Sequence, residues 1–456
     1  MRGIIASDIC VEKGGGKAVN KPMSILIVSY YFAPQNVIGA IRATKLAKYL
    51  ARMGHRVTVV CGEGITPLID PMLQRDLTEF ADVHVVREWN VIRDRKRKNA
   101  AETKESSHLL NSPGVKNNRR SWKAWVLDKL HLFLLFWADC SFARRGLQEI
   151  TEMEKTFDVV LTSYGPLSSL WIGNQVKKQG LAKRWLADFR DPVILSFSWQ
   201  KGMAEYYRKQ AQRNADGICA VSQGVLERMA FYGNIRVIPN GFDREDLLGI
   251  ETKQDWNPAV LNVAYCGQIY EGKQFLTPFF RAVRRMIAEG ICQPEEIRIF
   301  YVGREGSRLK AQAQETGMEG LLQDRGQVTR EKSLALQQEV DVLLMASWNE
   351  KGTPGILTGK LKEYMMMQKP ILCCMSGDAP ESETKALIHG LGLGFCWEEA
   401  NGKEDEEKLY AYLKELLARK RNGERLLAEE NSAGAEVYAY PEIAKTLSEW
   451  MEQMQK

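Results

Sequence analysis

A chain of 456 residues is too long for one average domain, so two or three domains are expected. The composition, 45% hydrophobic and 26% charged, is ordinary for a globular protein, and no apolar run reaches the roughly 18 residues that a membrane-spanning helix needs. A net charge of +6 is modest for this length and gives no indication of a nucleic-acid partner.

The cysteines and the N-terminal residues indicate the compartment in which the protein works. Its nine cysteines form no CxxC or Cys/His cluster with metal-binding spacing, which predicts reduced thiols and no metal site. Residues 1–22 lack the apolar core of a signal peptide. A cytoplasmic protein is therefore expected.

The first predicted elements are those of a parallel sheet. Ser24–Ser29 is an apolar strand, an amphipathic helix follows and ends near Gly54, and the next strand begins at Arg56. Strand, loop, helix and strand in this order open a doubly wound sheet, which binds ligands at the carboxyl ends of its strands. The connecting loop carries Gly39 and is followed by Arg42, so it is a candidate acceptor- or phosphate-binding loop. The absence of GxGxxG argues against a dinucleotide site.

Residues 93–120 interrupt this alternation. A basic run and a polar stretch with Ser, Pro and Gly predict a flexible insertion in the first domain. The predicted helix that follows carries Trp122, Trp125 and Trp137 among arginines and lysines. Such a mixture suits the surface of an anionic membrane, while a helix that packs on the sheet is the alternative.

Three more strands are predicted at 157–163, 185–188 and 217–221. The second of them leads into Arg190 and Asp191. Charged side chains at the carboxyl end of a strand lie where this fold places its chemistry, so Asp191 is a candidate catalytic residue and Arg190 a candidate acceptor ligand. A structural ion pair between Arg190 and a neighbouring aspartate is the alternative.

A second strand–helix alternation follows an irregular stretch that ends near residue 258. We place the N-terminal domain at 23–245, the C-terminal domain at 258–435, and a last helix, expected to cross back to the first domain, at 436–456. Two doubly wound α/β domains imply a cleft between them.

Gly352–Leu372 is the most informative stretch of the second domain. It predicts a loop with Gly355, a helix that begins near Gly359 and Lys360, a break at a proline, and a buried strand. The N-terminus of such a helix attracts anions, and Lys360 and Glu363 can point to one side of it. These residues suit the phosphate and hydroxyl groups of a nucleotide, although an ordinary surface Lys–Glu pair has the same spacing.

Several stretches together resemble the GT-B glycosyltransferases, specifically the retaining nucleotide-sugar enzymes of family four. In chain order they are YYFAPQNVIGAIRATKLAKYLARMGHRVTVV, LADFRDP, AVSQGVLERM with IPNGFD, AYCGQIYEGKQ and GKLKEYMMMQKPIL. The resemblance implies two Rossmann-like domains facing a cleft, with the sugar nucleotide on the C-terminal domain and the acceptor on the N-terminal one. It also implies a lipid-linked acceptor used in surface polysaccharide assembly.

The resemblance extends to individual residues, with departures. Glu363 matches the second of two glutamates that the family separates by seven residues, but Gly355 stands at the first position. Lys273 matches a diphosphate-binding lysine, while Gln268, after Gly267, replaces the usual arginine. An expected histidine is also absent near residue 170. A GT-B sugar-nucleotide epimerase and a non-catalytic partner subunit therefore remain alternatives.

The implied reaction needs positive charge at the departing diphosphate. No Asp-x-Asp metal motif is present, so Lys273, Lys360 and a helix N-terminus are expected to replace a divalent cation. A solvated loop lysine is the plainer explanation of Lys273. The expected enzyme needs no cofactor beyond a UDP- or GDP-linked sugar as co-substrate, retains configuration, and contacts the inner face of the cell membrane.

Overall fold

The structure is a computed structural model that describes residues 21–64, 69–79, 82–95, 122–192, 198–252, 257–351, 357–428 and 430–455. The chain divides into two units. The first ends at Ile238 and also takes in Ile443–Lys456, and the second is Pro239–Glu442. The division at Ile238 lies before residue 245, where the sequence places the end of the first domain.

Within the described residues, the first unit forms a seven-stranded parallel sheet in the order β3-β2-β1-β4-β5-β6-β7. Its strands are β1 (Ser24–Ser29), β2 (Arg56–Gly62), β3 (Val83–Val86), β4 (Phe157–Tyr164), β5 (Ala182–Phe189), β6 (Gly217–Ala220) and β7 (Ile235–Val237). The central strands are buried on both faces, which explains their nearly continuous apolar sequences.

Helices connect these strands. They are α1 (Ile38–Arg52), α2 (Pro71–Asp76), α3 (Trp122–Glu152), α4 (Ser168–Lys178), α5 (Ser198–Asn214) and α6 (Gln223–Arg228). Helix α3 is the predicted aromatic and basic helix, and its two ends differ. Phe142 and Ile150 are fully buried in the core of the sheet, so the core alternative is correct for this part, whereas Phe133 and Trp137 are each 51% exposed. The side chains of Trp122 and Trp125 lie outside the described residues.

The predicted flexible insertion begins too early. Arg93 is buried and forms ion pairs with Glu63 at 3.0 Å and Glu88 at 2.9 Å. A guanidinium that is enclosed by carboxylates belongs to the folded unit, and residues 96–120 lie outside the described residues. Across the part of the chain that the structure describes, no helix has the length and apolar character needed to cross a bilayer.

The second unit repeats the plan with a six-stranded parallel sheet in the order β10-β9-β8-β11-β12-β13. Its strands are β8 (Leu261–Cys266), β9 (Ile297–Val302), β10 (Leu322–Asp324), β11 (Val342–Trp348), β12 (Ile371–Ser376) and β13 (Gly394–Glu398). Its helices are α7 (Thr277–Ala288), α8 (Gly306–Gln314), α9 (Arg330–Glu339), α10 (Gly359–Met366), α11 (Glu383–Gly390) and α12 (Lys403–Arg421).

The last helix, α13 (Tyr440–Gln453), carries the chain into the first unit at Ile443. There the Trp450 indole N–H donates to the Asn234 side-chain oxygen at 3.1 Å, and the Ser448 hydroxyl lies 2.8 Å from His55 Nε2. The buried face of this helix thus completes the covering of the first sheet.

Both sheets reverse their strand order beside their first strand. In the first unit β1 lies between β2 and β4, and in the second β8 lies between β9 and β11. Helices leave such a switch point in opposite directions, which opens a crevice at the carboxyl ends of the two central strands. Each unit is therefore expected to bind ligands at that edge.

Candidate functional site

The switch point of the second unit brings together two of the predicted donor residues. Gly267 follows β8 directly and has a φ of +135°, a conformation that favours glycine. A Cβ atom at position 267 would lie 2.7 Å from Lys360 Cε and 2.9 Å from its Nζ. The backbone of this loop and the Lys360 side chain can therefore approach so closely only because residue 267 is glycine.

Lys360 lies in the first turn of α10. Its Nζ atom is 3.7 Å from the centre of the Tyr265 ring, a cation–π contact. Burial lowers the pKa of Lys360 to about 7, and the carboxylates of Glu363 and Glu305 oppose that shift. Among the described residues, the side chain of Thr358, the N-cap residue, makes no capping hydrogen bond. The N-terminus of a helix favours an anion, and the Lys360 side chain adds to that preference here.

Glu363 lies near Lys360 on α10 and is held by α9. Its Oε1 accepts a hydrogen bond at 2.8 Å from the side-chain amide of Gln337, which is fully buried. Its Oε2 lies 3.9 Å from Arg330, and Arg330 also donates to Asp246 at 2.7 Å. The carboxylate is thus oriented before any ligand binds. Sequence reasoning missed Gln337, because nothing in the sequence separates it from its neighbour Gln338.

Lys273, predicted to bind the diphosphate, is paired in the structure. Its ammonium group donates to both carboxylate oxygens of Glu350, on the loop that follows β11. The backbone carbonyl of Lys273 accepts the Ser376 hydroxyl, which anchors the loop to the end of β12. Gln268, in contrast, is exposed; its side-chain oxygen accepts a hydrogen bond from the Tyr270 hydroxyl at 3.2 Å, and its backbone carbonyl accepts one from the Tyr265 hydroxyl at 2.8 Å. An anion at Lys273 would have to compete with Glu350.

Two further residues were predicted to bind the donor, Gly359 and Gly355. Gly359 is exposed, and a Cβ atom there would meet no atom of the described residues within 4 Å, so none of those residues requires glycine at this position. Gly355 lies outside the described residues.

In the first unit, Arg42 is buried instead of facing the predicted acceptor crevice. Its Nε and Nη2 donate to the two carboxylate oxygens of Asp188 at 2.9 and 2.8 Å, and Nη2 also donates to the Ile238 carbonyl at 2.8 Å. Both partners of this ion pair are at most 2% exposed. Arg42 therefore links α1 to β5, and its guanidinium is unavailable to a ligand in this structure.

Arg190 organises the loops at the carboxyl edge of the first sheet. It donates to the backbone carbonyls of Gly39, Tyr164 and Gly165 at 2.8, 2.9 and 3.1 Å. In the described part of the chain its hydrogen-bond partners are these carbonyls instead of the aspartate that the alternative expected. A Cβ atom at Gly39 would lie 2.5 Å from Arg190 Nη1, so this contact requires glycine. Asp191 is exposed beside it.

An exposed aromatic patch lies on the same unit and is formed by Trp89, Phe133 and Trp137. The Trp137 ring centre lies 6.1 Å from each of the other two, and the three side chains line an open cavity of about 550 Å³. Beside the patch, Arg145 Nη1 donates to the backbone carbonyl of Arg87 at 2.6 Å, and the Arg87 side chain is 76% exposed. Aromatic and cationic groups are therefore adjacent on this surface.

Comparisons with known proteins agree with the fold. Residues 39–241 match the family model described as a glycosyl transferase 4-like domain. No curated protein matches the chain by sequence. By structure, the chain is similar to sucrose-phosphate synthase from Thermosynechococcus elongatus, with a TM-score of 0.57 and 15% identity over 95% of this chain and 99% of that one.

Two further solved structures show a comparable degree of similarity. The apo form of the lipopolysaccharide outer core galactosyltransferase WaaB has a TM-score of 0.55 and 13% identity, and the match covers 94% of this chain and 99% of that one. A trehalose-6-phosphate structure from E. coli bound with UDP-2-fluoro glucose has a TM-score of 0.57 and 11% identity, with coverage of 94% and 99%.

These similarities and the two parallel sheets define the GT-B fold of glycosyltransferases, which confirms the predicted fold class. The residues that match the family model, 39–241, lie within the predicted N-terminal domain of 23–245.

Proposed function

We propose that the protein is a glycosyltransferase that moves a sugar from a UDP- or GDP-linked donor to a glycan acceptor with retention of configuration. The observation that carries this proposal is the position of Lys360 and Glu363 on the first turns of α10, with Lys360 against the loop that begins at Gly267. The GT-B neighbours support it, because one of them is bound with UDP-2-fluoro glucose.

Each group has a distinct part in donor binding. The diphosphate lies on the N-terminus of α10 and on Lys360, and Glu363 accepts hydrogen bonds from the ribose hydroxyls. Negative charge grows on the diphosphate as the sugar leaves, so cations and N–H dipoles aimed at it lower the barrier. Loss of one such donor costs about 3–4 kcal/mol. Lys273 contributes once the diphosphate displaces Glu350. These groups supply the positive charge without a metal ion.

The acceptor belongs to surface polysaccharide assembly and is carried on a polyprenyl lipid, so the protein works on the inner face of the cell membrane. The patch of Trp89, Phe133 and Trp137 supports this proposal, because aromatic side chains partition into the interfacial layer of a bilayer. Arg87 and Arg145 add attraction to anionic headgroups. Residues 96–121, which precede α3 in the sequence, contain more lysine and arginine than aspartate and glutamate.

Liposome flotation tests the membrane contact. The double variant Phe133→Ser with Trp137→Ser should lose binding to vesicles that contain phosphatidylglycerol, while Tyr232→Ser should bind like the wild type. Tyr232 is a suitable control because it is 69% exposed in the same unit and lies on the loop before β7. Unchanged flotation of the double variant would exclude the patch as the membrane contact.

Incubation with a panel of UDP- and GDP-sugars tests the function itself. A transferase releases the nucleotide, and slow donor hydrolysis reveals it even without the acceptor. An epimerase converts the donor sugar and releases nothing at comparable speed. A non-catalytic subunit does neither. The ion pair between Lys273 and Glu350 favours this alternative, because it occupies the lysine expected to bind the diphosphate.

A binding experiment isolates the donor site. Glu363→Gln should weaken nucleotide affinity at least a few-fold in calorimetry, since hydrogen bonds to charged groups contribute about 1.5–3 kcal/mol. Glu331→Gln is the matched control, because Glu331 is an exposed glutamate in the first turn of α9. Equal affinity of the Glu363 variant and the control would remove the ribose assignment.

A further inference from the structure

Two buried tyrosines hold the loop that begins at Gly267 by its backbone. The Tyr301 hydroxyl, from β9, donates to the Gly267 carbonyl at 3.1 Å, and the Tyr265 hydroxyl, from β8, donates to the Gln268 carbonyl at 2.8 Å. Other side-chain acceptors are farther away, a carboxylate oxygen 3.3 Å from the Tyr301 hydroxyl and an amide oxygen 3.5 Å from the Tyr265 hydroxyl. Both tyrosines are fully buried, so the packing of their rings fixes these two hydroxyls.

The two hydrogen bonds also fix the direction of the N–H groups in the same peptides. Both peptide bonds are trans, so each N–H points away from the carbonyl that a tyrosine holds. The Gln268 N–H therefore points away from Tyr301, and the Ile269 N–H points away from Tyr265. We call these two successive N–H groups the amide pair.

The amide pair differs from the N–H groups on either side of it. The Gly267 N–H donates to the Val302 carbonyl at 2.7 Å, and the Tyr270 N–H donates to the Gln274 side-chain oxygen at 2.9 Å. None of the described residues accepts a hydrogen bond from the amide pair. Nearly all backbone N–H groups in proteins are paired, so solvent or a ligand must supply these two acceptors. A loop that served stability alone would pair its N–H groups as its two neighbours do.

A cation lies against the same peptide. A Cβ atom at position 267 would be 2.9 Å from Lys360 Nζ, and that Nζ lies over the Tyr265 ring. Successive backbone N–H groups form anion-binding sites, and an adjacent ammonium group strengthens the preference for an anion. The arginine that the resemblance expects is replaced here by Gln268. The backbone N–H of this residue can still donate a hydrogen bond at that place, without the charge of an arginine.

We propose that the amide pair binds a phosphate group of a diphosphate ligand, and that Tyr265 and Tyr301 are positioning residues that keep both N–H groups directed at it. The identification of this ligand as the sugar-nucleotide donor rests on the proposed function. Loss of either hydroxyl frees a peptide to rotate, so its N–H no longer points at the phosphate.

Amide NMR of the full-length protein with inorganic pyrophosphate tests the site. Gln268–Ile269 is the only Gln–Ile pair in the sequence, and Ile269–Tyr270 is the only Ile–Tyr pair. Carbonyl-13C labelling of the first residue and 15N labelling of the second therefore give one signal for Ile269 and one for Tyr270. Pyrophosphate should move the Ile269 amide proton downfield, because it gains a hydrogen bond to an anion. The Tyr270 proton, already bonded to Gln274, should hardly move.

Tyr265→Phe and Tyr301→Phe keep the rings and remove the hydroxyls. In calorimetry the double variant should bind pyrophosphate at least ~10-fold more weakly than the wild type, and each single variant ~3-fold more weakly. The Ile269 signal of the double variant should lose its response at the pyrophosphate concentration that saturates the wild type. Tyr410→Phe is the matched control, because the hydroxyl of this buried tyrosine on α12 donates to the Glu289 carboxylate and not to the loop.

Three results would overturn the proposal: wild-type protein that binds no pyrophosphate, an Ile269 proton that moves no further than the Tyr270 proton, or a double variant that binds like the control. The experiment is also separate from the proposed function. If pyrophosphate binds through the amide pair but no nucleotide sugar is turned over, the anion site stands and the transferase assignment fails. If nucleotide is released from a donor but the Ile269 signal does not respond, the transferase stands and this site is wrong.

Discussion

Donor binding should depend on pH through Lys360. The pKa of this lysine is lowered to about 7 by burial, so the free protein carries a mixture of charged and neutral Lys360 near neutrality. Only the charged form attracts a diphosphate. From pH 6 to pH 9 the charged fraction falls from about 90% to about 1%, which predicts a rise in Kd approaching ~90-fold, or ~2.7 kcal/mol.

Calorimetry with intact UDP-glucose and GDP-mannose measures this effect, because the diphosphate of a nucleotide sugar keeps a constant charge over the range. Titrations in two buffers with different ionisation enthalpies should show proton uptake on binding, close to one proton at pH 8. Lys360→Arg should remove both the proton uptake and the pH dependence, since arginine stays charged.

Loss of fold does not explain weaker binding at high pH. The pKa of Lys360 in the folded protein lies below its ordinary value of 10.5, so the cost of burying the charge is present below pH 7 and is relieved as pH rises towards 10.5. Lys362, with a pKa also lowered to about 7, acts in the same direction. Affinity that changes by less than about threefold over the range would refute the reasoning, as would an equal slope in Lys360→Arg.

Three further predictions concern single side chains. Lys273→Ala should lower turnover ~100-fold or more at saturating donor with little change in the Kd of the donor. Gln268→Arg should raise turnover. If the alanine variant keeps its activity, another cation stabilises the leaving diphosphate. Gln337→Leu should weaken nucleotide affinity several-fold in the wild type but not in a Glu363→Gln background, which calorimetry of the double variant decides. Asp139→Asn should raise the free energy of unfolding by ~2 kcal/mol at pH 7.5 but not at pH 4. The pKa of Asp139 is raised by burial to about 6 in the folded protein, so its ionisation destabilises the fold only once the pH rises above the 4–6 range. Urea unfolding at both pH values measures the difference.

The fold could be predicted because its strands are apolar on both faces and alternate with amphipathic helices. The strands that sequence reasoning missed are short edge strands. β3 is half-exposed, and β10 contains three residues with two of them exposed, so neither shows a buried pattern. The predicted helix after Gly355 is present and begins at Gly359, next to Lys360.

The candidate site was predictable only where its residues are close in sequence. Lys360 and Glu363 share one helix, so their spacing indicated a common face. The partners Glu350 and Gln337 come from elements distant in sequence, and only packing decides which side chain meets which. Arg42 shows the same limit, because its sequence position suits both a ligand contact and a buried ion pair, and the choice depends on where Asp188 lies.

Nucleotide release from a panel of UDP- and GDP-sugars by Lys360→Met, compared with Lys362→Met, tests the central claim most directly. Both lysines lie on α10 with a lowered pKa, but Lys362 Nζ contacts the Tyr438 ring at 3.4 Å instead of the loop at Gly267. The account predicts that the wild type and Lys362→Met release nucleotide from one type of donor in the panel, and that Lys360→Met releases it at least ~100-fold more slowly. Equal rates in the two variants, or no release from any donor by the wild type, would contradict it.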